Sequence, residues 1–465
     1  MKKILLFACL CAMVPALALA QTQWSYDGPL WNQVLDDAAI GSGHGVAVDP
    51  DGKIWFQPFS ASDSVLVAEL GNVYVATRVL YVFNPDGSMA DISPIKFLDY
   101  PGGARDTLGG FTHRDANGNL IWEGRSGRGL RADPDGNILA SQFNTLFRID
   151  YKTGMGMNRL DEPDHCALVQ VATDDAGNIF TAPVCPGPPI RMYDKDFNFL
   201  GNAVEQTIGF SRSFEVSPDG NSVLWAGYTN HALVHYNRPD EFSAFDSVGV
   251  VLEGMDSESM SFNPATGHFW VAAGSPFDTP NRYTGVASTW NSNTWYSFDL
   301  ADVLDGNANY TPIASISWGE CTSFAANVCV GNDGRPRGLA FSPDGETAYV
   351  TQFNQGAPSL EQFSSTPTAI ERDDTTLPEN FTLSQNFPNP FNPSTKIQFD
   401  LKEAGQAQLR VFDMMGREVA ELVNEYLPAG SYTSTFEAQN LSSGTYLYLL
   451  DFNGVRLTGK MTLLK

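Results

Sequence analysis

Six times between residues 44 and 351 the chain repeats one device: a short apolar strand, a turn of the D/S-P-D-G kind, and a second strand. The copies are GVAVDPDGKIWF (45–56), GLRADPDGNILA (129–140), QVATDDAGNIFT (170–181), SFEVSPDGNSVLWA (213–226), SMSFNPATGHFWVA (259–272) and GLAFSPDGETAYVT (338–351). Proline fixes φ, the aspartate bonds the backbone just ahead of it, and glycine accepts positive φ. The copies begin at 45, 129, 170, 213, 259 and 338, so the middle spacings are 41, 43 and 46 residues and the outer two are 84 and 79.

A period of about 40–45 residues is that of a four-stranded propeller blade. A lone hairpin cannot bury both faces, so such units pack around a common axis. The expected fold is all-β: a six-bladed β-propeller, with seven as the alternative count and a β-sandwich as the competing architecture. LYVFNPDGSM (80–89) and THRDANGNLIW (112–122) fall in the first long gap and read as outer hairpins or insertions. The repeats resemble the NHL and regucalcin/gluconolactonase-like propellers over roughly residues 40–365. The resemblance rests on a generic turn and implies fold far more than activity.

A chain of 465 residues suggests two or three domains. Its formal net charge of −25 argues against nucleic acid, which needs clustered Lys and Arg, and is compatible with divalent cations. Residues 1–20, MKKILLFACLCAMVPALALA, read as a secretory signal ending in Ala18-Leu19-Ala20. No later stretch is apolar and long enough to span a bilayer. Four cysteines remain beyond the signal, Cys166, Cys185, Cys321 and Cys329, an even number that suggests two disulfides in an exported protein. A Cys166–Cys185 bridge is geometrically plausible, because both flank one hairpin on the same side.

Residues 366–380 are polar and without periodicity, and read as a linker between a propeller at 21–365 and a C-terminal domain at 381–465. That domain opens on LSQNFPNPFNPSTKIQFDL (383–401). Proline cannot join a central ladder, so the proline segment is an edge or lead-in. Alternation and turn residues behind it give about seven short strands, enough for a small β-sandwich. FPNPFNPSTKIQFDL, VFDMMGREVAEL, AGSY, SGTYLYLL and KMTLLK resemble, in this order, the type A C-terminal sorting domain of the type IX secretion system. The resemblance implies passage through the periplasm, recognition by the secretion machinery, and a secreted or outer-surface destination.

In a propeller the innermost strands start on the face where ligands bind. The residues just before the six first strands are His44, Arg128, Val169, Arg212, Glu258 and Arg337. Either they form a local positive mouth around Glu258, fit for a carboxylate, a sulfated sugar or a phosphate, or the arginines pair with Glu258 and with backbone carbonyls and plug the channel. Gln142, Asn144, Gln352 and Asn354 end second strands and are expected near the same face. No G-x-S-x-G, H-E-x-x-H or Walker loop is present. His231 and His235 have ligand-like spacing but read as a surface pair. DVLDGNANY (302–310) lacks a full calcium-loop pattern and reads as a turn. No cofactor is expected, although a divalent metal such as Ca²⁺ is compatible with the family. The expected role is binding of a glycan or anionic surface component. The alternative is metal-dependent lactone hydrolysis of the regucalcin-like kind.

Overall fold

A computed structural model describes residues 22–30, 42–227, 231–274, 290–291, 294–306, 310–317, 324–325, 328–329, 335–353, 360–365, 370–373, 378, 380–402, 405–427, 430–438, 441–452 and 455–465. The chain is all-β and packs as two units, one running from Gln23 to Thr366 and the other holding Pro367–Lys465. The signal expected at residues 1–20 lies outside the described residues. No helix among the described residues is long and apolar enough to cross a membrane.

Every repeat forms the hairpin expected of it. The first strands are β1 (Gly43–Val48), β2 (Gly127–Ala132), β3 (Ala172–Thr173), β4 (Ser211–Val216), β5 (Met260–Phe262) and β6 (Pro336–Phe341). Each pairs antiparallel with the strand after its turn. The turn glycines Gly52, Gly136, Gly177, Gly220, Gly267 and Gly345 all have φ between 70° and 86°, where other residues are strained. The residue that opens the turn accepts the backbone N–H across it, as in Asp133 Oδ1 from Asn137 (2.9 Å) and Ser342 Oγ from Thr347 (2.9 Å). β2, β3 and β4 each begin a four-stranded antiparallel meander.

Consecutive first strands touch. The β1 strand approaches β2 closely enough that a Cβ on Gly45 would lie 2.6 Å from the Arg128 carbonyl. Arg131 Nε donates to Val171 O across β2 and β3 (3.2 Å), and Asp175 N to Pro218 O beyond β3 and β4 (2.8 Å). The β4 and β5 strands pack together. Asn263 Nδ2 donates to Gly345 O beyond β5 and β6 (2.9 Å), and Thr351 Oγ1 donates to His44 O, which returns the circuit to β1 (3.0 Å). Apolar side chains between successive sheets form the core, with Trp55, Trp225, Trp270 and Trp295 almost fully buried.

The closing sheet is built from both ends of this unit. Thr22–Pro29 pairs with Leu360–Ser365, the third strand of the β6 meander, and Trp24 packs edge-on against Trp270 at 5.7 Å. The sequence placed nothing here, since a strand remote from its partners carries no repeat signature.

The second unit has two four-stranded antiparallel sheets, whose buried faces share one cluster including Phe391, Ile397, Leu409, Tyr432, Phe436, Tyr448 and Met461. Strict alternation in Ser394–Leu401 sends Ile397, Phe399 and Leu401 inward. The proline segment lies along the last strand: Phe391 N donates to Thr462 O (2.9 Å) and Leu464 N to Phe391 O (3.0 Å). Asn386 is buried and donates to Pro388 O (3.0 Å) and Thr395 Oγ1 (2.9 Å). Ile370–Asp373, within the stretch expected as linker, is a strand paired with Gly430–Glu437. Its four residues are too few for a periodic pattern to show.

Candidate functional site

The first strands rise to one rim, and their leading residues meet there. His44, Glu258 and Arg337 are buried, and Arg128 and Arg212 are partly exposed. Arg337 Nη1 donates to Glu258 Oε2 at 2.5 Å and to its neighbour's carbonyl, Pro336 O, at 3.0 Å. Phe59 and Phe353 stand under the guanidinium groups, Arg128 at 4.9 Å from the Phe59 centroid and Arg337 at 5.2 Å from that of Phe353. The two rings meet edge-to-face at 5.0 Å, and His44 stacks on Phe59 at 5.8 Å. Aromatic faces of this kind attract the cations and fix where they sit.

The electrostatics follow from this crowding. His44 is held well below the usual imidazole range, first by burial and then by Arg128, Arg337 and Arg212. Burial, with Arg212 and Arg337 close by, pulls Arg128 down to about 10. Neither Arg128 nor Arg212 has a hydrogen-bond or ion-pair acceptor among the described residues, and the buried Nε of each is unpartnered, as is Nδ1 of His44. Buried polar groups are ordinarily satisfied within the protein. The mouth is therefore a cup of unneutralised donors.

Deeper in, the cup has a floor. Arg131 on β2 pairs with the buried Glu215 on β4, and Gln170 Nε2 donates to Met260 O at 3.0 Å. Arg131 and Gln170 also line a cavity of about 150 Å³ with Val48, Ala132, Phe262 and Phe341.

Other candidates fall differently. Gln142 turns into the protein: its Oε1 accepts Gly109 N–H (2.7 Å) and its Nε2 donates to Gln57 Oε1 (3.1 Å). Gln352 is buried at the base of the rim. Asn144 keeps a buried Oδ1 without a donor, and Asn354 lies outside the described residues. Val169 N donates to Ala182 O and its side chain is core. His231 and His235 do not face one ion and are not a surface pair. His231 Nδ1 contacts Asp256 Oδ1 (3.0 Å), while buried His235 contacts Ser222 Oγ (3.1 Å). The start of the 302–310 loop belongs to a single helical turn, Leu300–Leu304, capped by Asp299. Phe59 and Phe353, which stand under the cations, lie just past the ends of second strands and were not among the expected site residues.

Cys166 and Cys185 form a disulfide with Cα atoms 6.1 Å apart. Cys321 lies outside the described residues, as does the Cys329 side chain, and with them the second bridge. Beside the disulfide, one oxygen or nitrogen each of Glu162, Asp164 and His165 lie within 4.8 Å of one another. A cation is already there: the Arg191 guanidinium binds Glu162 and both oxygens of Asp164, and Tyr193 and Thr181 donate to Glu162.

One comparison with known proteins falls within the second unit. Residues 385–463 match the family model for the secretion system C-terminal sorting domain, and this chain carries that domain. Such a domain marks a protein sent to the cell surface or beyond it. No curated protein matches the chain. Among solved structures, it is similar to PorZ, a surface component of the type IX secretion system of Porphyromonas gingivalis (13% identity, 93% of this chain and 53% of that one, TM-score 0.36). The chain thus spans about half the length of that structure. It is also similar to the calcium-binding protein regucalcin of Agrobacterium tumefaciens (15% identity, 73% and 93%, TM-score 0.38) and to a luciferin-regenerating enzyme (9% identity, 70% and 92%, TM-score 0.40).

Proposed function

We propose that the protein is a cargo of the type IX secretion system, made of a six-bladed propeller at residues 21–365 and a C-terminal sandwich at 381–465 that serves as the export address. Its payload acts by binding an anionic ligand, such as an acidic glycan or another charged surface component, at the mouth formed by His44, Arg128, Arg212, Glu258 and Arg337. One observation supports this above the rest: Arg128 and Arg212 each place a buried Nε at the rim with no acceptor among the described residues. An N–H donor shut off from water without an acceptor costs about 1–3 kcal/mol, and a bound anion that accepts from it removes that cost. A metal-dependent lactonase needs converging oxygen donors, yet the mouth offers three guanidinium groups and a Glu258 already bonded to one of them.

Titration calorimetry of the purified chain with inorganic sulfate and with glucuronate, alongside elemental analysis for metal, tests the reading. Arg128→Ala and Arg212→Ala are each expected to weaken binding about tenfold or more, the scale of a charge-assisted hydrogen bond. Unchanged affinity in both variants, or a stoichiometric divalent ion, counts against it.

A further inference from the structure

We infer that the mouth selects a doubly charged oxyanion, a phosphate monoester group, over a singly charged carboxylate; this rests on the anion-binding reading above. The charge count leads there. Among the described leading residues, three arginines and one carboxylate leave two positive charges, because the Arg337–Glu258 pair is internally neutral. His44 adds none, being kept neutral by burial and by the arginines around it. Those two charges sit on Arg128 and Arg212, the two guanidinium groups without a protein acceptor among the described residues.

The donor geometry points the same way. A guanidinium presents a fork of parallel N–H groups that one carboxylate fills by itself. A carboxylate in the cup therefore satisfies one arginine and leaves the buried Nε of the other without an acceptor. A phosphate monoester presents three terminal oxygens and, above its second pKa of about 6, two charges, enough for both forks at once. The unpartnered Nδ1 of His44 stands among the same groups as a further neutral contact. The remaining surface opposes extended polyanions, for the whole chain carries a formal charge of −25, so a compact group that enters the cup is favoured over a long acidic polymer lying across the face.

The same chemistry is offered by a free sugar phosphate and by a phosphorylated lipid headgroup. The test therefore titrates the full chain at pH 7.5 with glucose 6-phosphate, with glucuronate, and with phosphatidylcholine vesicles with and without phosphatidic acid. Glucose 6-phosphate is expected to bind at least tenfold more tightly than glucuronate. Binding to the phosphatidic acid vesicles alone assigns the group to a lipid and supports the inference equally. Arg212→Gln and Arg128→Gln remove one fork each and are expected to bring the phosphate-to-carboxylate ratio toward one. Should either variant fail to fold, Arg212→Lys keeps the charge and loses the fork, and its ratio is expected to fall at least threefold. Glucuronate binding as tightly as glucose 6-phosphate, or an unchanged ratio in the folded variants, overturns the dianion assignment and leaves anion binding standing. Failure of every anion to bind overturns both.

Discussion

Arg337 Nη1 lies 2.5 Å from Glu258 Oε2, and the two side chains are 3% and 0% exposed. They begin neighbouring first strands in space, 79 residues apart in sequence. A buried pair of this kind adds little net stability while intact, but removing one partner strands a charge. Arg337→Met alone should therefore destabilise the chain by about 3–5 kcal/mol, and the double variant with Glu258→Gln should recover most of that loss. Urea denaturation of the single and double variants measures both. Equal losses in the two would mean that packing, not the stranded carboxylate, sets the cost.

His44 links stability to acidity. Its folded-state value lies below the ordinary one, which the unfolded chain regains. Below about pH 6.5 the unfolded state takes up a proton that the folded state refuses, so stability falls as pH drops through that window, by up to about 1.4 kcal/mol per pH unit. His165, His235 and His268 are depressed for the same reason, burial. The expected outcome is thus a shallower loss between pH 6.5 and 5 in His44→Gln, read from denaturation midpoints at each pH. Parallel curves for the two proteins would remove His44 from this account.

The Cys166–Cys185 bridge joins residues 19 apart in sequence. Closing a loop of that size restricts the unfolded chain by about 3 kcal/mol. Cys166→Ser combined with Cys185→Ser should lower the unfolding free energy by that amount, and added reductant should bring the native chain to the same value. A native protein indifferent to reductant speaks against the bridge.

A Cβ on Gly129 would lie 2.5 Å from the Gln170 Cα. Neighbouring first strands converge here, and the nearest atom is backbone, which cannot swing aside as the end of a side chain can. Gly129→Val is expected to destabilise by more than about 3 kcal/mol or to prevent folding, judged by thermal unfolding and soluble yield. Gly118→Ala, on an exposed turn where an added Cβ meets nothing within 4 Å, pays only for its positive φ and should cost about 1 kcal/mol.

The Thr22–Pro29 strand closes the last sheet. Without it Leu360–Ser365 becomes an open edge beside exposed aromatic core. Removing residues 21–30 should yield aggregated protein, whereas Trp24→Ala should remain folded with a loss of about 2–4 kcal/mol. Size-exclusion chromatography separates these outcomes, and a monodisperse truncated protein would show that closure is dispensable.

The repeat hairpins were legible because proline, aspartate and glycine act within a few residues, and local chemistry fixes those turns wherever they occur. The leading-residue column was legible for the same reason, since strand starts can be counted from turns. The partners of Gln142 were not legible, because the aim of a side chain at a strand end depends on neighbours such as Gln57 and Gly109, far off in sequence. The closing strand was missed because its pairing spans more than 300 residues.

From its residues alone the chain determined its turns, its strand alternation and its export tail, all properties of segments a few residues long or of motifs read in order. Only the tertiary structure decided which charges neutralise each other. Arg337 met Glu258, while Arg128 and Arg212 met no carboxylate among the described residues, because tertiary packing sets distances between residues that the covalent chain keeps far apart.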